Sequence, residues 1–184
     1  MYHSMQPEWP CLSIDVMPDM LGASRTAFPL CVYLVAGTQA DKGDQNQLQL
    51  IKVADMHRTQ QDDDDVALHG DEVDDDPVVE VQRIPYRGGI NRVRVMPQAP
   101  HVVASMADTR MVHLIDVRPR LAALDAGDSE STGVLGSARA AAVARGTKSA
   151  DVPVASFAGH RSEGFALDWS KKVRGRLATG DCEG

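Results

Sequence analysis

The chain has 184 residues, 43% of them apolar and 4% aromatic, with 26 Asp and Glu against 19 Lys and Arg for a formal net charge of −7. That composition suits a globular class with core enough for one domain, and the lack of any uncharged apolar run of about 18 residues excludes a membrane-spanning helix. Cys11, Cys31 and Cys182 are odd in number and form no C-x-x-C pair, so a reducing interior is expected rather than a disulfide framework or a zinc site, and Met1 to Gln6 carry neither the basic nor the apolar region of a secretory signal.

The first predicted element follows Trp9 and Pro10, where Leu12, Ile14 and Val16 alternate with polar neighbours up to Pro18, the period of a half-buried strand. Residues 30–36 form a continuous apolar run closed by Gly37 and Thr38, as in a strand covered on both faces. Leu48 and Leu50 alternate in a third strand over 47–53, and 78–84 alternate again up to Pro85. Four such strands predict one antiparallel sheet. Between the third and fourth, Asp62, Asp63, Asp64, Asp65, Asp71, Glu72, Asp74, Asp75 and Asp76 place nine acids in fifteen residues with no Lys or Arg. The remainder carries 17 acids and 19 bases, so the acidity of the protein belongs to this one segment.

The pattern then repeats. Residues 90–96, 101–105 and 111–117 read as strands divided by a Pro-Gln-Ala-Pro turn at 97–100 and a turn at 107–110. A stretch from Arg118 to Val152, rich in Ala, Gly, Ser and Arg, lacks an apolar face and is expected to be mobile before a strand at 153–157. Residues 164–170 and 176–180 begin a third unit. First-strand positions recur at Leu12, Ile90 and Phe165, spacings of 78 and 75 residues. Subtracting an insert of about 20 to 35 residues from each leaves the roughly 40 to 50 residues of a four-stranded propeller blade.

Gly159 and His160, then a strand ending in Trp169 and Ser170, then Leu177 to Gly180, have the order of a WD repeat. The preceding unit closes with Leu114, Ile115 and Asp116, with Ile where that repeat has Trp, and Ser105 and Asp108 stand where its turn residues would be. In such a repeat the imidazole, a Ser or Thr hydroxyl such as Thr179 and a turn Asp tie the loop to the strands, while Gly allows the tight turn. His160 is therefore expected to be structural rather than catalytic. The second unit has Arg87, Gly88 and Gly89 in place of Gly-His, which predicts an incomplete polar network there.

Glu8 to Asp15, Phe28 and Pro29 with Val35 to Gln39, Asn91 to Gln98, and Gly159 through Trp169 to Cys182 resemble, in order, the glutamate-rich WD-repeat family, ribosome-assembly chaperones of the nucleus and nucleolus in the histone-chaperone-like branch of WD proteins. The resemblance implies an all-β, partial WD-repeat β-propeller with disordered inserts: blade one over 9–86 with an acidic loop at 57–77, blade two over 88–158 with a flexible insert at 118–152, and the start of blade three over 159–184. That is about two and a half blades of an expected seven, which need roughly 300 residues, so a fragment lacking sequence at both ends is expected.

Chemistry is sparse. There is no phosphate-binding loop, nucleophile elbow or His-Glu-x-x-His pair, and the six histidines never fall at helical ligand spacing. No cofactor or metal is expected; a site between His101 and His113, or loose cation binding by Asp62 to Asp65, is the weaker reading. The acidic run reads either as a solvated loop or as a polyanionic arm shielding a basic client, and the resemblance favours the arm. Trp9 reads as a strand-entry anchor or as part of a groove for a partner helix. Arg83, Arg87, Arg92 and Arg94 form a basic stretch that would engage an acidic partner or the Asp run, without the aromatic residues of a single-strand nucleic-acid binder. The leading expectation is a non-enzymatic scaffold that binds a basic ribosomal protein of the large subunit through Asp62 to Asp76. The alternatives are a histone-binding assembly factor and a hydrolase or metal-dependent enzyme. Neither a membrane nor nucleic acid is expected as a direct partner.

Overall fold

The computed structural model describes residues 5–19, 22, 24–57, 77–127 and 152–183. The first sheet contains β1 (Cys11–Met17), β2 (Leu30–Thr38), β3 (Asn46–Met56) and β4 (Val78–Tyr86), antiparallel in the order β1-β2-β3-β4. The second contains β5 (Ile90–Val95), β6 (Val102–Ala107), β7 (Val112–Asp116) and β8 (Ala155–Phe157) in the same consecutive order, and β9 (Ala166–Trp169) pairs with β10 (Leu177–Gly180) to begin a third. Meandering sheets stacked face to face, each connected to the next by one short loop, are the arrangement of a partial β-propeller. Among the described residues no helix is long and apolar enough to cross a membrane.

Burial explains the stacking. Val35, Leu48, Leu50 and Ile84 of the first sheet meet Ile90, Val93, Val103 and Ile115 of the second in one fully buried cluster. β-branched and Leu side chains at alternate positions fill the layer between two pleated surfaces. Gly37 is required here by close approach, since a Cβ on it would lie 2.3 Å from the Ile90 side chain. A second cluster joins Met96, Ala104 and Met106 to Leu167 and Trp169 across the next seam.

Three expectations change. The alternation in β1 is real, but Leu12, Ile14 and Val16 form its open side at 55%, 54% and 57% exposure, while Ser13, Asp15 and Met17 turn toward the second sheet. The reason is hydrogen bonding: β5 is an edge strand, and its Val93 and Val95 N–H groups donate to Ser13 Oγ (3.1 Å) and Asp15 Oδ2 (2.8 Å). Polar side chains facing inward thus satisfy backbone donors that no strand covers.

The second change concerns the segment expected to be mobile from Arg118 to Val152, which starts as a helix. In α1 (Arg118–Asp125) the Leu124 side chain is fully buried in the cluster between the first two sheets, with Leu121 packed beside it. Pro119 suits the first turn of a helix, where its missing N–H costs nothing. Lys52 Nζ caps the far end by donating to the Leu124 carbonyl (3.3 Å), and Arg120 Nη1 donates to Gln82 Oε1 (3.2 Å). The rest of that stretch up to residue 151 lies outside the described residues. The third change is at the polar corner of the second unit, where a tyrosine takes the place of the missing Gly-His.

Candidate functional site

Each sheet carries a polar corner at the end where one unit passes into the next. In the third unit His160 Nε2 and Thr179 Oγ1 are 2.9 Å apart, and Asp181 Oδ2 lies 3.5 Å from His160 Nδ1 while accepting the Arg161 N–H. Two of the expected residues are therefore brought together, and Asp181, which was not singled out, supplies the carboxylate. Gly159 lies under the Phe157 ring, where a Cβ would meet it at 2.3 Å, and Phe157 in turn stands edge-on to the imidazole.

The second unit is a correction. Its network is supplied by Tyr86, whose hydroxyl lies 2.9 Å from the fully buried Ser105 Oγ, with His113 packed edge-on against the phenol ring. Burial pushes the Tyr86 hydroxyl up to about 12 even though the Ser105 hydrogen bond works the other way. Asp108 closes the same corner through its N–H to the Gly89 carbonyl (3.0 Å), and its carboxylate occupies the space beside Gly88, whose φ of +92° a side chain would oppose. A tyrosine one residue before the Arg-Gly-Gly was the available signal. In the first unit the corresponding pair is Thr38 and Asn46, with Asn46 Oδ1 also accepting the Ala40 N–H at 2.7 Å.

The remaining expected residues stay apart from these corners. Asp116 lies at the other end of β7, where the Arg118 guanidinium holds its carboxyl below the usual carboxylate range. Trp169 is buried in the second seam and donates its indole N–H to the Arg94 carbonyl at 3.0 Å. Trp9 is half-buried before β1. Arg94 turns Nη1 onto the neighbouring Val93 carbonyl, and the Arg92 Nε is buried with no hydrogen-bond partner among the described residues. Asp62 to Asp76 lie outside the described residues; the ends of β3 and β4 that lead to them, Met56 and Val78, are at the end of the first sheet opposite the polar corner. Among the described residues no three His, Cys, Asp or Glu side chains form a group able to hold a metal ion.

Two open clefts flank the seam between the first two sheets. One of about 650 Å³ lies at the polar-corner end between Asp44, Arg87, Gly88 and Asp108. The other, about 450 Å³, lies at the opposite end between Met17, Tyr33, His101 and Leu121.

Against known proteins, the chain is 37% identical over 99% of its length to glutamate-rich WD repeat-containing protein 1 of Dictyostelium discoideum. The chain is homologous to the glutamate-rich WD-repeat proteins. It is also 36% identical over 98% of its length to the Arabidopsis thaliana protein HEAT STRESS TOLERANT DWD 1, and 36% identical over 92% to ribosome assembly protein rrb1 of Schizosaccharomyces pombe. It spans 37%, 40% and 33% of these relatives. Residues 1–57 match the family of the histone-binding protein RBBP4 and its counterpart in the CAF1 complex. The glutamate-rich WD-repeat relatives and the stacked antiparallel sheets agree on a partial propeller.

Proposed function

We propose that the chain is part of a non-enzymatic, nuclear and nucleolar WD-repeat scaffold that acts as a chaperone in ribosome assembly and binds a basic protein of the large subunit partly through Asp62 to Asp76. The observation that carries this reading is similarity over nearly the whole chain to relatives named for ribosome assembly and for a glutamate-rich WD-repeat architecture, combined with nine acids concentrated in one segment of an otherwise slightly basic chain. A dense anionic segment accelerates encounter with a cationic client and competes with nucleic acid for it, an effect that weakens as salt rises. In the same reading the blades divide at 9–86, 88–158 and 159–184, and His160 with Thr179, and Ser105 with Asp108, serve to hold loops against strands. The test is titration of a basic ribosomal protein against the chain with and without residues 62–76. Affinity should fall on deletion and the difference should shrink with salt; equal affinity at low salt would overturn the role of the segment.

The match of residues 1–57 to a histone-binding family favours a second reading, histone binding in chromatin assembly, with Trp9 contributing to a partner groove. Direct competition between a histone H3–H4 preparation and the ribosomal protein separates the two: displacement of the ribosomal protein by equimolar histone would favour this alternative.

A further inference from the structure

We propose that the cleft of about 450 Å³ between β1, β2 and α1 receives a single Lys or Arg side chain of a basic client. The cleft has a buried apolar base at Met17, walls formed by Tyr33, Leu121 and Pro100, and carboxylates from Asp19 and Asp125 at its margin. Long cationic side chains suit that distribution, since their methylene stems cover apolar surface while the charged head stays at a polar edge. The Tyr33 ring adds a face for the cation.

The two carboxylates differ. Asp19 already pairs with Arg25 at 2.9 Å. Asp125 is exposed at the end of α1, accepts the Tyr33 hydroxyl at Oδ1, and has no ion-pair partner among the described residues. The neighbouring cation, Lys52, is taken by Glu80 Oε2 at 3.0 Å and the Leu124 carbonyl at 3.3 Å. Asp125 is thus a positioned anion whose countercharge must come from outside. Docking of α1 creates the cleft, because Leu124 locks the helix against the first sheet and thereby brings Asp125 to Tyr33.

The occupant rests on the reading of the chain as a binder of basic proteins, so the test separates the cleft from the acidic segment. A fluorescein-labelled peptide of alternating Arg and Leu is titrated against the full chain, against Asp125→Lys, against a variant with all nine acids of 62–76 made amides, and against the combination. Asp125→Lys should weaken binding about tenfold in both backgrounds, as expected for reversing one charge at a partly desolvated contact. Asp125→Asn, which keeps the shape, should weaken it less, and peptide addition should shift the Met17 methyl resonance of the unsubstituted chain. Loss on Asp125→Lys with no effect of the amide variant would uphold the cleft and overturn the role of the acidic segment. Affinity unchanged by Asp125→Lys in the amide background, or a Met17 resonance that does not move, would overturn the cleft.

Discussion

The two seams between sheets are built differently. Between the first and second sheets, fully buried Val, Leu and Ile side chains run the length of the strands, Ser13 and Asp15 accept backbone N–H groups of β5, and α1 closes the edge with Leu124. Between the second sheet and β9–β10 the apolar contact is smaller and leans on Met96, Met106 and Leu167, with polar ties from the Trp169 indole to Arg94 and from Gln98 Nε2 to the Ser170 carbonyl. Sheets of similar sequence pattern can thus be joined mainly by burial or mainly by a few directed hydrogen bonds, and the two kinds of joint should fail in different ways.

Leu124→Ala should break the contrast most strongly. Removing a fully buried leucine costs about 2–5 kcal/mol, and urea denaturation should show that loss together with release of α1 from the first sheet. A loss below about 1 kcal/mol would mean that α1 contributes little to the first seam.

Tyr86→Phe comes next. It leaves the Ser105 hydroxyl buried without its main partner, a cost of about 1–3 kcal/mol. Adding Ser105→Ala should recover part of that loss, because a matched apolar pair leaves no orphaned polar group; additive losses in the double variant would show that the hydroxyls are not coupled.

Trp169→Phe tests the second seam. Loss of the indole hydrogen bond and some ring area should cost about 1 kcal/mol, with amide exchange accelerating in β9 and β10 and not in β1 to β3. Acceleration throughout would show that the seams open together.

The smallest expected effect is on pH dependence. Burial holds the His113 imidazole below its ordinary value. The unfolded chain therefore takes up a proton first as the pH falls, so the stability contributed by the neutral ring is complete above the ordinary imidazole range and declines as acidification passes through it. His113→Gln should flatten that decline in a series of denaturation curves.

Much of the architecture could be read in the residues. Strand positions followed from alternation and from breaks at Pro18, Pro85 and Pro97, and the His160 and Thr179 partnership followed from the order of a repeat whose parts lie close in sequence. What could not be read required knowing what lay opposite. The inward turn of Ser13 and Asp15 depends on the uncovered edge of β5, eighty residues away. The pairing of Tyr86 with Ser105 depends on a loop that delivers a phenol where the third unit has an imidazole.

The sequence by itself determined the strand period, the turn positions and the concentration of negative charge in one segment, because each depends on neighbours along the chain. Only the tertiary structure decided which side of β1 is inside, that Arg118 to Asp125 is a docked helix, and that Asp125 stands at an apolar cleft. Those outcomes depend on satisfying buried donors and covering apolar surface between segments distant in sequence, and local pattern carries no record of which segments will meet.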